Sequence, residues 1–250
     1  MSDFSTVILL IAITSLSLFV VSTVNKRQLR AQVISQKLMQ MKRRVTELEE
    51  LSATLEPLVE NNEFSKLIND EVIDITQVMV KLSPKDTLLN VSLEEAEKRS
   101  QDLLDPNAKA ELFRLMESDA AIARAEYAIT EAARVIRKRQ AADKIPEGKM
   151  EQLIVGLNWS NFMVKVVTNV GQGHQAANNG NTLRASAYYR KAMELISQSH
   201  QRDERMSQLT KEMGEILSGK RTALSLELMP ESLYNPQHKT VNNEVDDNSL

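Results

Sequence analysis

The chain contains no cysteine, which excludes a disulfide framework, a thiolate metal site and a cysteine nucleophile together. Glycine and proline number only seven and six in 250 residues, and aromatics make up 4%. Histidine is equally scarce. His174, His200 and His238 lie far apart, and none falls in a metal-ligand spacing. No catalytic, cofactor or metal residue is therefore assigned. An excess of one charge is also missing: the formal net charge is −3, which gives no global support for nucleic acid as a partner. What remains is rich in Leu, Ala, Glu, Lys, Met and Gln, which lose little rotamer freedom in a helix. The expected fold class is all-α.

One uncharged run stands out. Phe4 to Val24 reads FSTVILLIAITSLSLFVVSTV, with thirteen residues drawn from Leu, Ile, Val and Phe. As a helix it is about 32 Å long against a hydrocarbon core of about 30 Å. Its large apolar residues favour insertion by roughly 4 to 8 kcal/mol, opposed by seven Ser and Thr whose hydroxyls bond back to the helix backbone. A cleaved signal peptide needs a basic start, whereas the chain opens Met-Ser-Asp-Phe and its basic residues follow the run: Lys26, Arg27 and Arg30, then Lys37, Lys42, Arg43 and Arg44. By the positive-inside rule, residues 4–25 form an uncleaved transmembrane helix, with residues 1–3 outside and the body in the cytoplasm, at the inner membrane in a bacterium. Lys26, Arg27 and Arg30 flank the membrane within about one Debye length of its surface.

Beyond the span, Ile34, Met41, Leu48 and Leu55 fall seven apart, with Leu38, Val45, Ser52 and Val59 in the alternate heptad position. This is a coiled-coil seam, and residues 26–60 are expected to form a stalk. It can pair with a second copy or pack on the protein's own later helices. In a parallel homodimer Lys37 meets Lys42, which repels, and Arg44 meets Glu49, which attracts. Pro57 marks the end of the straight rod.

Residues 61–225 are expected to form a helical bundle. Leu67, Ile68, Val72, Ile75, Val78, Met79 and Leu82 make a helical stripe that stops at Ser83-Pro84. Ser92 with Glu95 reads as a capping box, and Asp105-Pro106 begins a helix over 107–138 striped by Leu115, Ile122, Ile129 and Ile136. The cluster Arg134, Arg137, Lys138 and Arg139 lies where cations offset a helix dipole. From Pro146 a long helix is apolar on most sides, with one wet stripe of Asn158, Asn161, Lys165 and Asn169. Residues 226–250, polar and acidic with Glu244, Asp246 and Asp247, are expected to be a disordered tail.

Gly173 to Leu195 reads GHQAANNGNTLRASAYYRKAMEL, and here the chain resembles a tetratricopeptide repeat, over about Thr168 to Ile196. Gly173 stands at the family's small position in the first helix, Gly180 in the turn, Ala185 and Ala192 at the small positions of the second helix, and Tyr189 at the aromatic one. The resemblance covers a single repeat, which cannot bury its own face. It implies protein or peptide binding on the side formed mainly by the first helix, through Val167, Val170, Gly171, His174, Ala177 and Asn178. The Lys and Asn set with which some members clamp a carboxylate is missing.

The leading expectation is a single-pass, membrane-tethered adaptor or scaffold that binds partner proteins, with a homodimer through the stalk open. Two alternatives differ in class. Reversed topology would make it an extracytoplasmic structural protein and expose Asn90-Val-Ser92 and Asn158-Trp-Ser160 to glycosylation. A carboxylate-only metal-dependent enzyme would use Asp70, Glu71 and Asp74 on one helix.

Overall fold

The computed structural model describes residues 3–105, 111–200, 203–231 and 233–235; for residues 3–15 and 20 it describes the backbone alone. The described residues contain helices and no strand. In chain order they are α1 (Asp3–Leu55), a 3₁₀ turn (Glu56–Leu58), α2 (Glu63–Leu82), α3 (Thr87–Asp102), α4 (Asp119–Ala141), α5 (Glu147–Asn178), α6 (Thr182–Gln198) and α7 (Met206–Leu217).

Among the described residues no helix is long and apolar enough to cross a membrane. The span expected over 4–25 falls largely on residues whose side chains lie outside those described. Its backbone belongs to α1, which continues unbroken to Leu55.

The stalk divides in two. Leu48, Ser52, Leu55 and Val59 are buried against the protein's own body, with Leu48 and Leu55 fully so, in a cluster with Ile68 and Val72 of α2, Ile129 and Ile136 of α4 and Leu157 of α5. Residues 26–60 are therefore not one free coiled-coil stalk. Burying a leucine contributes about 1.5–3 kcal/mol, and α2 and α4 collect that gain locally, since the turn at Pro57 folds α2 straight back onto the seam. Leu38 and Met41 are half-buried, and Leu29, Val33 and Met39 are exposed.

Helix α5 runs through two cores. Its first half, with Leu153 and Leu157, completes the cluster around α1, α2 and α4, which Val164 also joins from the second half. Its second half, with Phe162, Met163, Val166, Val167 and Val170, is covered by α6, α7 and the segment Leu224–Met229. Helix α2 buries Leu67, Ile68, Val72 and Met79 of its expected stripe but leaves Val78 exposed, and it ends at Leu82 with Ser83 as its C-cap.

Three boundaries differ from the sequence reading. Helix α3 begins at Thr87, where the Asp86 carboxylate accepts from Leu88 N at 3.1 Å, so Ser92 sits inside the helix rather than capping it. Starting there brings Leu89 and Ala96, seven apart, onto the buried face. Helix α4 starts at Asp119, capped by Ser118 Oγ accepting from Ala121 N, so residues 111–118 of the helix expected over 107–138 are not helical, and residues 107–110 lie outside the described residues. Residues 111–117 instead run non-helically across α5, because Leu115 and Arg114 find buried partners there that a solvent-facing helical turn would not supply. The expected disordered tail also begins too early: Leu228, Met229, Glu231 and Asn235 are buried, and Asn235 Nδ2 donates to the Leu224 and Met229 carbonyls. Residues 236–250, which carry Glu244, Asp246, Asp247 and His238, lie outside the described residues.

Candidate functional site

The hairpin of α5 and α6 closes through Gly180, whose φ of +75° is a conformation glycine adopts without strain. Asn181 caps α6 by accepting from Arg184 N at 3.0 Å. Ala185 and Ala192 are buried, and their size lets the helices approach closely. At Gly173 the approach is closest: a Cβ there would lie 2.3 Å from Tyr189 Cε1. The Tyr189 ring meets His174 edge-on, and its hydroxyl lies 2.8 Å from His174 Nδ1. Burial lowers the His174 pKa to about 4 and raises that of Tyr189 to about 12, so both stay neutral near pH 7. Of the residues picked out as repeat-like, Gly173, Ala185, Tyr189 and Ala192 are buried or half-buried in the hairpin, while Gly180 is exposed in its turn.

The six candidate binding residues separate. Val167, Val170, Gly171 and His174 are buried, while Ala177 and Asn178 are exposed. The chain itself occupies the face expected to hold a ligand. Leu115 fills the notch at Gly171, where a Cβ would fall 2.3 Å from Leu115 Cδ1. Thr168 Oγ1 accepts from Met116 N at 3.0 Å and lies 3.3 Å from the Arg114 carbonyl. The guanidinium of Arg114, 1% exposed, donates to Glu231 and to the Leu228 carbonyl at 2.8 and 2.9 Å. This strap and the segment after α7 hold each other in place. Such an ion pair, dry and fully bonded, fixes register at both ends more than it adds stability.

Where the strap ends, a cleft of about 550 Å³ opens. It is lined by Glu117 of the strap, Gln172 and Gln175 of α5, Asn179 at the C-cap of α5, and Arg184 and Tyr188 of α6. The three amides sit three and four residues apart and present both donors and acceptors. The Arg184 guanidinium donates to Tyr188 Oη at 3.2 Å and lies 5.6 Å from that ring's centre. Among the described residues neither Arg184 nor Glu117 has an ion-pair partner. The sequence reading missed this cleft, although Gln172, Gln175 and Asn179 prolong the stripe of Asn158, Asn161, Lys165 and Asn169. Within that stripe Lys165 pairs with Glu126 of α4, and Asn169, itself buried, donates to the Lys165 carbonyl.

A second charged cluster joins the cores at the base of the stalk. Arg205 bonds Glu60 and Asp203 at 2.8 and 2.9 Å and stacks over Trp159 at 4.4 Å. The Arg205 bond holds the Asp203 carboxyl below its ordinary range against the opposing effect of burial.

The carboxylates considered for an enzyme are each engaged by cations. Asp70 accepts from Lys66 and Ser100, Glu71 from Lys138 and Arg139, and Asp74 from Arg139 and Lys144. Burial alone would raise the Asp74 pKa, but the bonds from Lys144 and Arg139 outweigh it and lower it. Among the described residues no group of side chains is arranged to hold a metal ion. Lys138 and Arg139 of the basic cluster serve as those partners, and Arg134 pairs with Glu131. Lys26, Arg27 and Arg30, expected to flank a membrane, are exposed and have no ion-pair partner among the described residues. Comparison with known protein families, curated proteins and solved structures finds no match to this chain.

Proposed function

We propose that this protein is a membrane-tethered adaptor: the apolar run at 4–25 anchors it, the basic residues that follow keep the body on the cytoplasmic side, and the body binds partner proteins. The observation that carries this reading is the continuity of α1 from Asp3 to Leu55, which makes the apolar run and the body-packing residues parts of one rod. From Asn25 to Val45, where α1 joins the core, such a rod spans about 30 Å. The body then stands at a fixed height above the bilayer, and tethering raises its effective concentration there. The hairpin of tetratricopeptide kind supplies the binding cleft. Its exposed amides and the unpaired Arg184 and Glu117 suit an extended peptide, whose backbone bonds amide side chains and whose charges of both signs meet those two residues.

Topology tests the reading directly. Cysteine placed at Ser2, at exposed Ser92 or at exposed Thr222 in the cysteine-free chain should react with a membrane-impermeant thiol reagent in intact cells only at position 2. Labelling of Ser92 and Thr222 before lysis would reverse the orientation and favour the extracytoplasmic structural alternative. Recovery of the protein from the soluble fraction would refute the anchor.

A further inference from the structure

The strap does more than cover α5. Its last residue, Glu117, is exposed and lines the polar cleft, and its place there follows from contacts made by the residues just before it. Thr168 Oγ1, buried, accepts from Met116 N at 3.0 Å, Leu115 fills the notch at Gly171, and Arg114 donates to Glu231 at 2.8 Å. Arg184 enters the cleft from the other helix. Tyr189 meets Gly173, so Arg184, five residues earlier on the antiparallel α6, lies nearer the turn at Gly180. Glu117 instead follows the residue bonded at Thr168, five residues before Gly173. The two charges therefore stand towards opposite ends of the wall formed by Gln172, Gln175 and Asn179. From Gln172 to Asn179 that wall is about 10 Å long, the reach of about three extended residues.

We infer that Glu117 sets the charge selectivity of this cleft: it admits an extended segment that carries a basic side chain about three residues from an acidic one, and disfavours a segment with acids at both places. The inference rests on the peptide-binding reading of the cleft and names the side chains that the peptide must bring. Arg184, held by Tyr188 of its own helix, attracts an acidic side chain. Acting alone it would favour the more acidic of two peptides. Glu117 reverses that order, because a second acid would face a carboxylate with no cation beside it, whereas a lysine supplies that cation. For side chains this exposed, attraction gained and repulsion avoided together amount to a factor of about five. Thr168 is a positioning residue: it does not line the cleft, but its hydroxyl holds the backbone N–H of the residue next to Glu117.

The test uses the full chain in detergent micelles and dye-labelled octapeptides of Ser, Asn and Gly that carry Asp and, three residues before or after it, either Lys or Glu. By anisotropy the Asp–Lys peptides should bind about fivefold more tightly than the Asp–Glu peptides, and added salt should erode the difference. Glu117→Gln should bring the two within about twofold, Glu117→Lys should invert their order, and Arg184→Gln should weaken both. Thr168→Val removes the hydroxyl and keeps a β-branched shape; it should cut the ratio towards that of Glu117→Gln, and Thr168→Ser should restore it. The fluorescence of Trp159, the sole tryptophan, verifies that each variant is folded, and partial unfolding would weaken both peptides without changing their ratio. Equal binding of the two peptides to the parent chain, or a preference that survives Glu117→Gln, would overturn the inference and leave the cleft as a peptide site. An unchanged ratio in Thr168→Val would overturn the positioning by the strap. Binding of neither peptide by the parent chain would refute the cleft reading itself, and the selectivity with it.

Discussion

Replacing Gly173 with alanine tests the packing of the hairpin, because two effects of opposite sign meet at this one residue. Inside a helix, Gly→Ala favours folding by about 1 kcal/mol. Here the new methyl would lie 2.3, 2.6 and 3.1 Å from three atoms of the Tyr189 ring, which is planar, half-buried and bonded to His174. The ring must move, at an overpacking cost of about 1–3 kcal/mol, with about 1 kcal/mol more if the His174 contact breaks. The net expectation is a loss of about 1–3 kcal/mol. In a Tyr189→Ala background the obstacle is gone, and the same substitution should stabilise by about 1 kcal/mol. The coupling between the two sites is then about 2–4 kcal/mol, well above the scatter for independent positions. Urea unfolding of the full chain in micelles, followed by Trp159 fluorescence and circular dichroism, measures all four corners of the cycle. If Gly173→Ala is as stable as the parent chain, or if the sign does not change in the second background, the close approach of α5 and α6 at this point is refuted.

The remaining predictions concern charge and capping. His174 is held neutral in the fold with its pKa lowered from 6.5 to about 4 by burial. The unfolded chain therefore binds the extra proton first, and stability falls as pH drops from about 6.5 towards 4; between pH 7 and 5 the loss is about 2 kcal/mol from this residue, and comparing urea midpoints with those of His174→Gln isolates it. Glu231→Ala leaves the buried Arg114 with Glu60 at 3.7 Å and the Leu228 carbonyl and should cost about 3–5 kcal/mol, read as a lower Tm; Glu231→Asp should recover part of it. Ser118→Ala should cost about 1 kcal/mol through loss of the α4 cap, whereas Ser92→Ala, inside α3, should change stability by less than about 0.5 kcal/mol; paired denaturation curves decide whether α3 starts at Thr87.

The all-helical class followed from local physics. Few helix breakers, a 3.6-residue apolar period in α2 and α5, and the stops at Pro57 and Pro84 are properties of short stretches, and the structure reproduces them. The small residues at 173, 180, 185 and 192 likewise announced a tight hairpin, because glycine and alanine record close approach in the sequence itself. What the sequence could not decide was which surface covers which. The seam at Leu48 and Leu55 reads equally well as a dimer interface and as a core face, and only the return of α2 and α4 assigns it to the core. Arg114 and Glu231, 117 residues apart, carry no pattern that links them, yet their pairing pulls residues 111–117 out of a helix and keeps the chain ordered past Leu226. That strap fills the notch at Gly171 and, with α6, α7 and Leu224–Met229, covers Val167 and Val170, the face on which a ligand was expected; the polar cleft at Gln172, Gln175 and Arg184 stays open. Periodicity reports that a face will be buried, but the identity of the covering group depends on long-range contacts whose free energy appears only once the chain has closed on itself.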